Sequence, residues 1–211
     1  MNRHLLACIL FTAGLTSAAA ETFITNLGNA SAGFFGIARN SDGDYRTAQS
    51  FTTGSAVTLD SVSLIVGQTS PFSDGGFHVA IYNDAAGSPG TSVASLVGDS
   101  NPHGGVSVYT TAAAVPLANG ITYWVVAYVD SPHNWSKYAT FNTFDTSLTH
   151  ETDWSLGELS SYSDFYGWVN SSGARGQLAL VATAVPEPGE YAALTGLALA
   201  GFALWRRRSA K

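Results

Sequence analysis

The chain has one cysteine among its 211 residues, Cys8, and it lies in the first twenty. If those residues are removed as a leader, no thiol is left, which excludes disulfides, zinc–thiolate sites and a cysteine nucleophile. Cations are scarce too. Between Glu21 and Ala184 only Arg39, Arg46, Lys137 and Arg175 stand against thirteen acids, a formal charge of −9. So few scattered cations cannot track a phosphate backbone, which argues against a nucleic-acid partner. Long amphipathic helical patterns are missing throughout. Long uncharged apolar runs occur only near the two ends, at Leu5–Leu15 and Tyr191–Trp205.

The first run follows Arg3 and His4 and precedes Ala18-Ala19-Ala20. A positive start, an apolar stretch and a small-residue A-x-A site make up a secretory signal peptide, predicted to span residues 1–20. Signal peptidase would read Ala18 and Ala20 and leave Glu21 first. A lipoprotein site at "LLAC" (Leu5 to Cys8) would leave almost no apolar region before the cut, and is set aside. The second run has 15 uncharged residues and stops at Arg206, Arg207 and Arg208. As a helix it would measure roughly 22 Å, against about 30 Å for a hydrocarbon core. Snorkelling arginines would make up the difference and mark the cytoplasmic side. The expectation is a single short transmembrane helix at 191–205, with its N-terminus outside.

"VPEP" (Val185 to Pro188), a short apolar helix and a terminal arginine cluster, in that order, resemble the PEP-CTERM sorting signal of Gram-negative bacteria. The likeness covers 185–211. Pro186, Glu187 and Pro188 stand at the motif positions, and Arg206 to Arg208 at the stop-transfer positions. The resemblance implies a protein held at the inner membrane for an exosortase, which cuts near the motif. The mature form would belong to the cell surface or extracellular matrix. It also implies an association with exopolysaccharide and biofilm. The two prolines are expected to keep the motif extended and separate from the helix.

Residues 21–184 amount to one ordinary domain, and their apolar pattern has period two. "GFHVAIYN" sets Phe77, Val79 and Ile81 on one face and His78, Ala80 and Tyr82 on the other. "VTLDSVSLIVG" alternates but slips phase at Asp60-Ser61, which predicts a β-bulge. "NGITYWVVAYVD" opens on a tight-turn signal and runs apolar on both faces, as a central strand does. Further strands are expected near Arg46–Thr52, Ser92–Val97, Val106–Thr111, Ala139–Phe144, Phe165–Val169 and Leu178–Thr183. Many short strands with Gly, Pro, Asn and Asp between them predict an all-β, antiparallel, jelly-roll-like β-sandwich, with a closed barrel as the alternative. Three stretches, Ala48 to Gly54, Phe77 to Gly90 and Leu117 to Val126, resemble the exported bacterial choice-of-anchor domains of the R type. That likeness covers residues 46 to about 129 and implies a surface β-sandwich without assigning an activity.

Motifs for chemistry are thin. "HETD" (His150 to Asp153) lacks the second histidine of a zincin, since Trp154 stands in its place. No G-x-S-x-G elbow exposes a serine nucleophile. The reading is therefore a non-catalytic protein without a cofactor. Calcium is the one candidate ion, through Asp42 and Asp44 in "NSDGDY", although Asp-Gly is also plain turn chemistry. Beyond Asp130 the chain is rich in aromatics among Asn, Ser and Asp. Trp135, Trp154, Tyr166 and Trp168 are candidates for stacking on sugar rings, or alternatively for the core. The sequons at Asn29, Asn134 and Asn170 carry no weight beside a bacterial tail.

Overall fold

The computed structural model describes residues 19–40, 43–68, 76–130, 138–145, 147–185 and 188–209. Residues 19–184 form one compact unit, and the tail from Val185 belongs to another. In the first unit the strands are β1 (Ala20–Thr25), β2 (Gly33–Asn40), β3 (Gly43–Thr52), β4 (Val57–Gln68), β5 (Phe77–Asp84), β6 (Pro89–Val97) and β7 (Gly105–Leu117). They continue with β8 (Thr122–Val129), β9 (Tyr138–Thr143), β10 (Thr149–His150), β11 (Ser155–Ser163), β12 (Gly167–Ser171), β13 (Arg175–Gly176) and β14 (Leu178–Ala184).

Every pairing among them is antiparallel, in the order β10-β1-β14-β4-β7-β6-β5-β8-β3-β2-β9-β13, with β11 and β12 added beside β3. One more contact closes the sheet on itself. Val66, Gly67 and Gln68 of β4 pair with Thr140, Ala139 and Tyr138 of β9. The strands from β4 through β7, β6, β5, β8, β3 and β2 to β9 thus form a ring. The fold is all-β and sandwich-like, as the alternation predicts, and the ring adds a feature of the closed barrel.

Local chemistry explains the strands. In β4 the phase slip is a bulge against β14, where Leu59 and Ser61 pair with the adjacent Ala182 and Val181 and Asp60 is the extra residue; against β7 the same step runs from Val115 to Thr110, so the extra residues there belong to β7. Asp60 Oδ2 accepts a hydrogen bond from Thr183 Oγ1 at 2.8 Å. β8 is central, paired to β3 on one edge and β5 on the other, and enters from a turn where Gly120 has φ +70°. That left-handed geometry favours glycine. Inside, Phe51 stacks on Trp154 at 6.3 Å and 2°, and Phe77 meets Tyr138 edge-on at 5.1 Å. These rings join Val57, Val62, Val79, Ile81, Leu178 and Leu180 in one core. Gly98 lies against Tyr109, where a Cβ would come within 2.3 Å of the ring.

The segment Gly176–Leu178 runs through the interior, where unpaired backbone would be costly. Two amide side chains satisfy it. Gln49 Oε1 accepts from the Gly176 amide at 2.7 Å, while Gln49 Nε2 donates to Ser50 O at 2.8 Å and Gly157 O at 3.0 Å. Asn26 Nδ2 donates to Gly176 O at 3.0 Å, and Asn26 Oδ1 accepts from the Leu178 amide at 2.8 Å. Gln177 N–H donates to Phe141 O at 3.0 Å, and Gln177 O accepts from Ile65 N at 3.3 Å. Both clamping side chains are buried.

The tail differs from expectation in two ways. Its helix, α1, spans Pro188–Ser209 and is longer than the expected 191–205. Pro188 opens it, as proline does at a first helical position where no amide is needed, and so does not hold the chain extended there. The transmembrane assignment is corrected: no helix among the described residues is long and apolar enough to cross a membrane. The uncharged part is too short and diluted by glycine, alanine and threonine, with Glu190 before it and three arginines after. Arg206, Arg207 and Arg208 occupy the last turn, where cations suit the negative end of the helix dipole. Pro186 and Glu187, like residues 1–18 with Ala18 among them, lie outside the described residues. Ala20 starts β1 opposite Thr183, and the ladder continues from Glu21 opposite Ala182.

Gln49→Leu keeps the volume of the clamp but leaves the Gly176 amide and Gly157 carbonyl unpaired. The expected loss is about 2–4 kcal/mol, read by urea denaturation with an unchanged m-value. A loss below about 0.5 kcal/mol contradicts the clamp.

Candidate functional site

On the sheet β5-β8-β3-β11-β12, one face builds the core and the other carries a second cluster. There Ala48, Trp124 and Val126 are buried, with Tyr82, Tyr128 and Trp168 packed against them and partly exposed. The register lines these side chains up in rows across the strands. The first row runs His78, Tyr128, Arg46, Tyr162, Trp168. The next is Ala80, Val126, Ala48, Ser160, Asn170. A third holds Tyr82, Trp124 and Ser50. Small residues thus floor a shelf between two aromatic rows. Ala80, Val126, Ala48 and Ser160 are at most 1% exposed although they face away from the core.

The polar ends of the shelf residues are held in place. Trp124 Nε1 donates to Asp84 Oδ1 at 2.8 Å. His78 stacks on Tyr128 at 5.4 Å, and its Nε2 lies 2.8 Å from Asp130 Oδ2. Arg46 pairs with Asp44 through Nε at 2.9 Å and through a second, closer contact, and its guanidinium sits over Tyr128 at 5.6 Å and Tyr162 at 5.4 Å. Tyr162 in turn meets Trp168 at 5.2 Å. At the hairpin between β11 and β12, Asp164 Oδ2 accepts from the Asp44 amide at 3.0 Å. This ties the hairpin to β3.

These surroundings fix the charge states. Partial burial would lower the Arg46 pKa, but Asp44 outweighs it and holds the guanidinium above its ordinary value. Burial, with Tyr82 adding to it, pushes the Tyr128 hydroxyl up, and the hydrogen bond with Asp164 does so for Tyr162. Across the neutral range the shelf therefore presents intact phenols beside a charged guanidinium.

Of the four residues named for sugar stacking, the three described ones, Trp154, Tyr166 and Trp168, are not brought together. Trp154 belongs to the core, 2% exposed against Phe51 and Phe23, so its role as a stacking platform is corrected. It stands just before β11, a strand the sequence pattern did not suggest, and its amide donates to Glu151 O at 3.2 Å in the turn that leads into that strand. Trp168 is on the shelf. Tyr166 projects beside Phe165 from the turn before β12, 82% exposed, so the strand begins two residues later than expected. Trp135 lies outside the described residues, as does Asp42. Asp44 is buried and engaged with Arg46, and among the described residues no group of three His, Cys, Asp or Glu could hold a metal. His150 is exposed on β10, with Nδ1 2.8 Å from Glu151 O.

Sequence reasoning passed over Tyr82, Trp124, Tyr128, Arg46 and His78. The signal was present: in β5 and β8 the residues alternating with the core set are His78 and Tyr82, and Trp124 and Tyr128. A cavity of about 20 Å³ bordered by Thr47, Thr140, Leu159 and Gln177 has room for a single water and no larger ligand. The chain matches no known family model and no curated protein.

Trp154→Ala is expected to cost about 3–5 kcal/mol by chemical denaturation, as core aromatics do. Tyr166→Ala should stay within about 0.5 kcal/mol of the parent. Equal effects would contradict the assignment of one ring to the core and the other to solvent.

Proposed function

We propose that this chain is an exported, non-catalytic protein of the cell surface or extracellular matrix, whose jelly-roll-like domain binds polysaccharide on the outer shelf. The observation that supports this most is the pair of aromatic rows flanking a floor of small residues. Partly exposed rings with fixed polar partners offer flat faces for sugar rings and oriented groups for their hydroxyls. A wide, shallow face suits an extended polymer better than a small molecule. Five strands give it a width of about 19 Å at the usual inter-strand spacing.

The ends of the chain fit the same role. In this reading signal peptidase cuts after Ala20, which leaves the β1 ladder intact from Glu21 onward. The tail is an address label: an exosortase reads Pro186, Glu187 and Pro188 while the apolar helix associates with the inner membrane. Leu197, Leu199, Phe202, Leu204 and Trp205 are exposed on that helix, and support an apolar environment for it.

Two measurements test this. Extended oligosaccharides should quench tryptophan fluorescence saturably, and Trp168→Ala should weaken binding about tenfold or more, within the usual range for a lost aromatic contact. Unchanged fluorescence across a panel of polysaccharides defeats the binding role. Intact mass of the protein from its own host should give termini at Glu21 and near Pro188, and a full-length chain defeats the processing role.

A further inference from the structure

The charges around the shelf point to the class of polymer it takes, and this inference rests on the polysaccharide reading above. Three polar handles of the shelf end on carboxylates, Trp124 on Asp84, His78 on Asp130 and Arg46 on Asp44, and a fourth carboxylate, Asp164, accepts from the Asp44 amide beside them. Four carboxylates therefore belong to the shelf and its edges against one guanidinium, which Asp44 already pairs. Arg39, the other cation nearby, donates to Asp130 O at 3.0 Å. The aromatic faces are electron-rich and attract cations, and Arg46 already uses two of them in this way. On the floor between the rows, Ser160 is fully buried, and its Oγ has no hydrogen-bond partner. It lies opposite Ala48 and Asn170, so register sets it on the shelf side. An unpaired buried hydroxyl favours a ligand that brings a hydrogen-bonding group.

We infer that the shelf selects a polysaccharide bearing protonated amino groups, an amino-sugar polymer, over its uncharged counterpart, and rejects uronic-acid chains. Negative potential from the carboxylates and from a domain of net charge −9 repels a polyanion and concentrates a polycation. Ring faces and carboxylates together solvate an ammonium group better than either alone. A hydroxyl-only chain gains just the stacking.

The probes are chitosan oligomers, fully acetylated chito-oligomers of equal length and oligogalacturonate, titrated into the full chain at about pH 6, below the usual range of an amine. Expected is binding at least about tenfold tighter for the deacetylated oligomer, weakening as salt rises past the point where exposed charges are screened. Asp130→Asn should lower chitosan affinity about threefold, the scale of one exposed charge pair, and leave the acetylated oligomer unaffected. Trp168→Ala should weaken both. Equal or tighter binding of the acetylated form, or any binding of oligogalacturonate by the shelf, overturns the charge preference while the polysaccharide role survives. If no oligomer binds, both readings fall. Tight chitosan binding that Trp168→Ala does not change marks non-specific attraction to an acidic protein, and also overturns the inference.

Discussion

The architecture depends on what the chain does with the backbone of residues 176–178. An interior strand segment must pair every amide and carbonyl, and here the sheet cannot do it alone. Gln49 and Asn26, some 130 to 150 positions away in sequence, reach in and complete the pairing. The clamp ties β13 and β14 to β1 and β3, elements from the two ends of the domain. Each amide makes contacts on both its oxygen and its nitrogen, so replacing either leaves a buried group unpaired on the far side. Such buried polar networks fix register where apolar packing alone would allow slippage.

With register fixed, the outer shelf follows. Direct pairing puts residues of five strands on common rows, and one slip by a single residue would turn Arg46 and Trp168 to the opposite face. The tie from Asp164 to the Asp44 amide keeps β11 and β12 aligned with β3 at the exposed end. Arg46 then sits between Tyr128 and Tyr162, within 5.6 Å of one ring and 5.4 Å of the other. The shelf is built from side chains that satisfy one another, with the interior clamp behind it.

How much of this was legible in the sequence depended on the range of the interactions. Local signals served well: the Asp60 slip became a bulge against β14, Asn119-Gly120 became a turn, and the two-sided apolar run became the central strand β8. Strands β1, β2, β10, β11 and β13 escaped notice because they alternate weakly and owe their form to distant partners. The site was half visible. Trp168 and the alternating residues of β5 and β8 could be seen, but their convergence with Arg46 depends on neighbours 82 and 116 positions away, Tyr128 and Tyr162. Trp154 was ambiguous because the same composition surrounds exposed and buried aromatics, and only its packing against Phe23 and Phe51, more than 100 positions away, decides its direction. The tail misled through length: counting uncharged residues made a plausible short span, whereas the helix needed a longer apolar run than the sequence supplies.

The central claim is that ligand is met on the outer face by rings that the interior does not share. The most direct measurement follows the indole N–H signals by NMR as an oligosaccharide is added. The account predicts progressive shifts for Trp168, with Trp154 unmoved in the core. Shifts confined to Trp154, or none at any indole on saturation with a chain that binds, would contradict it.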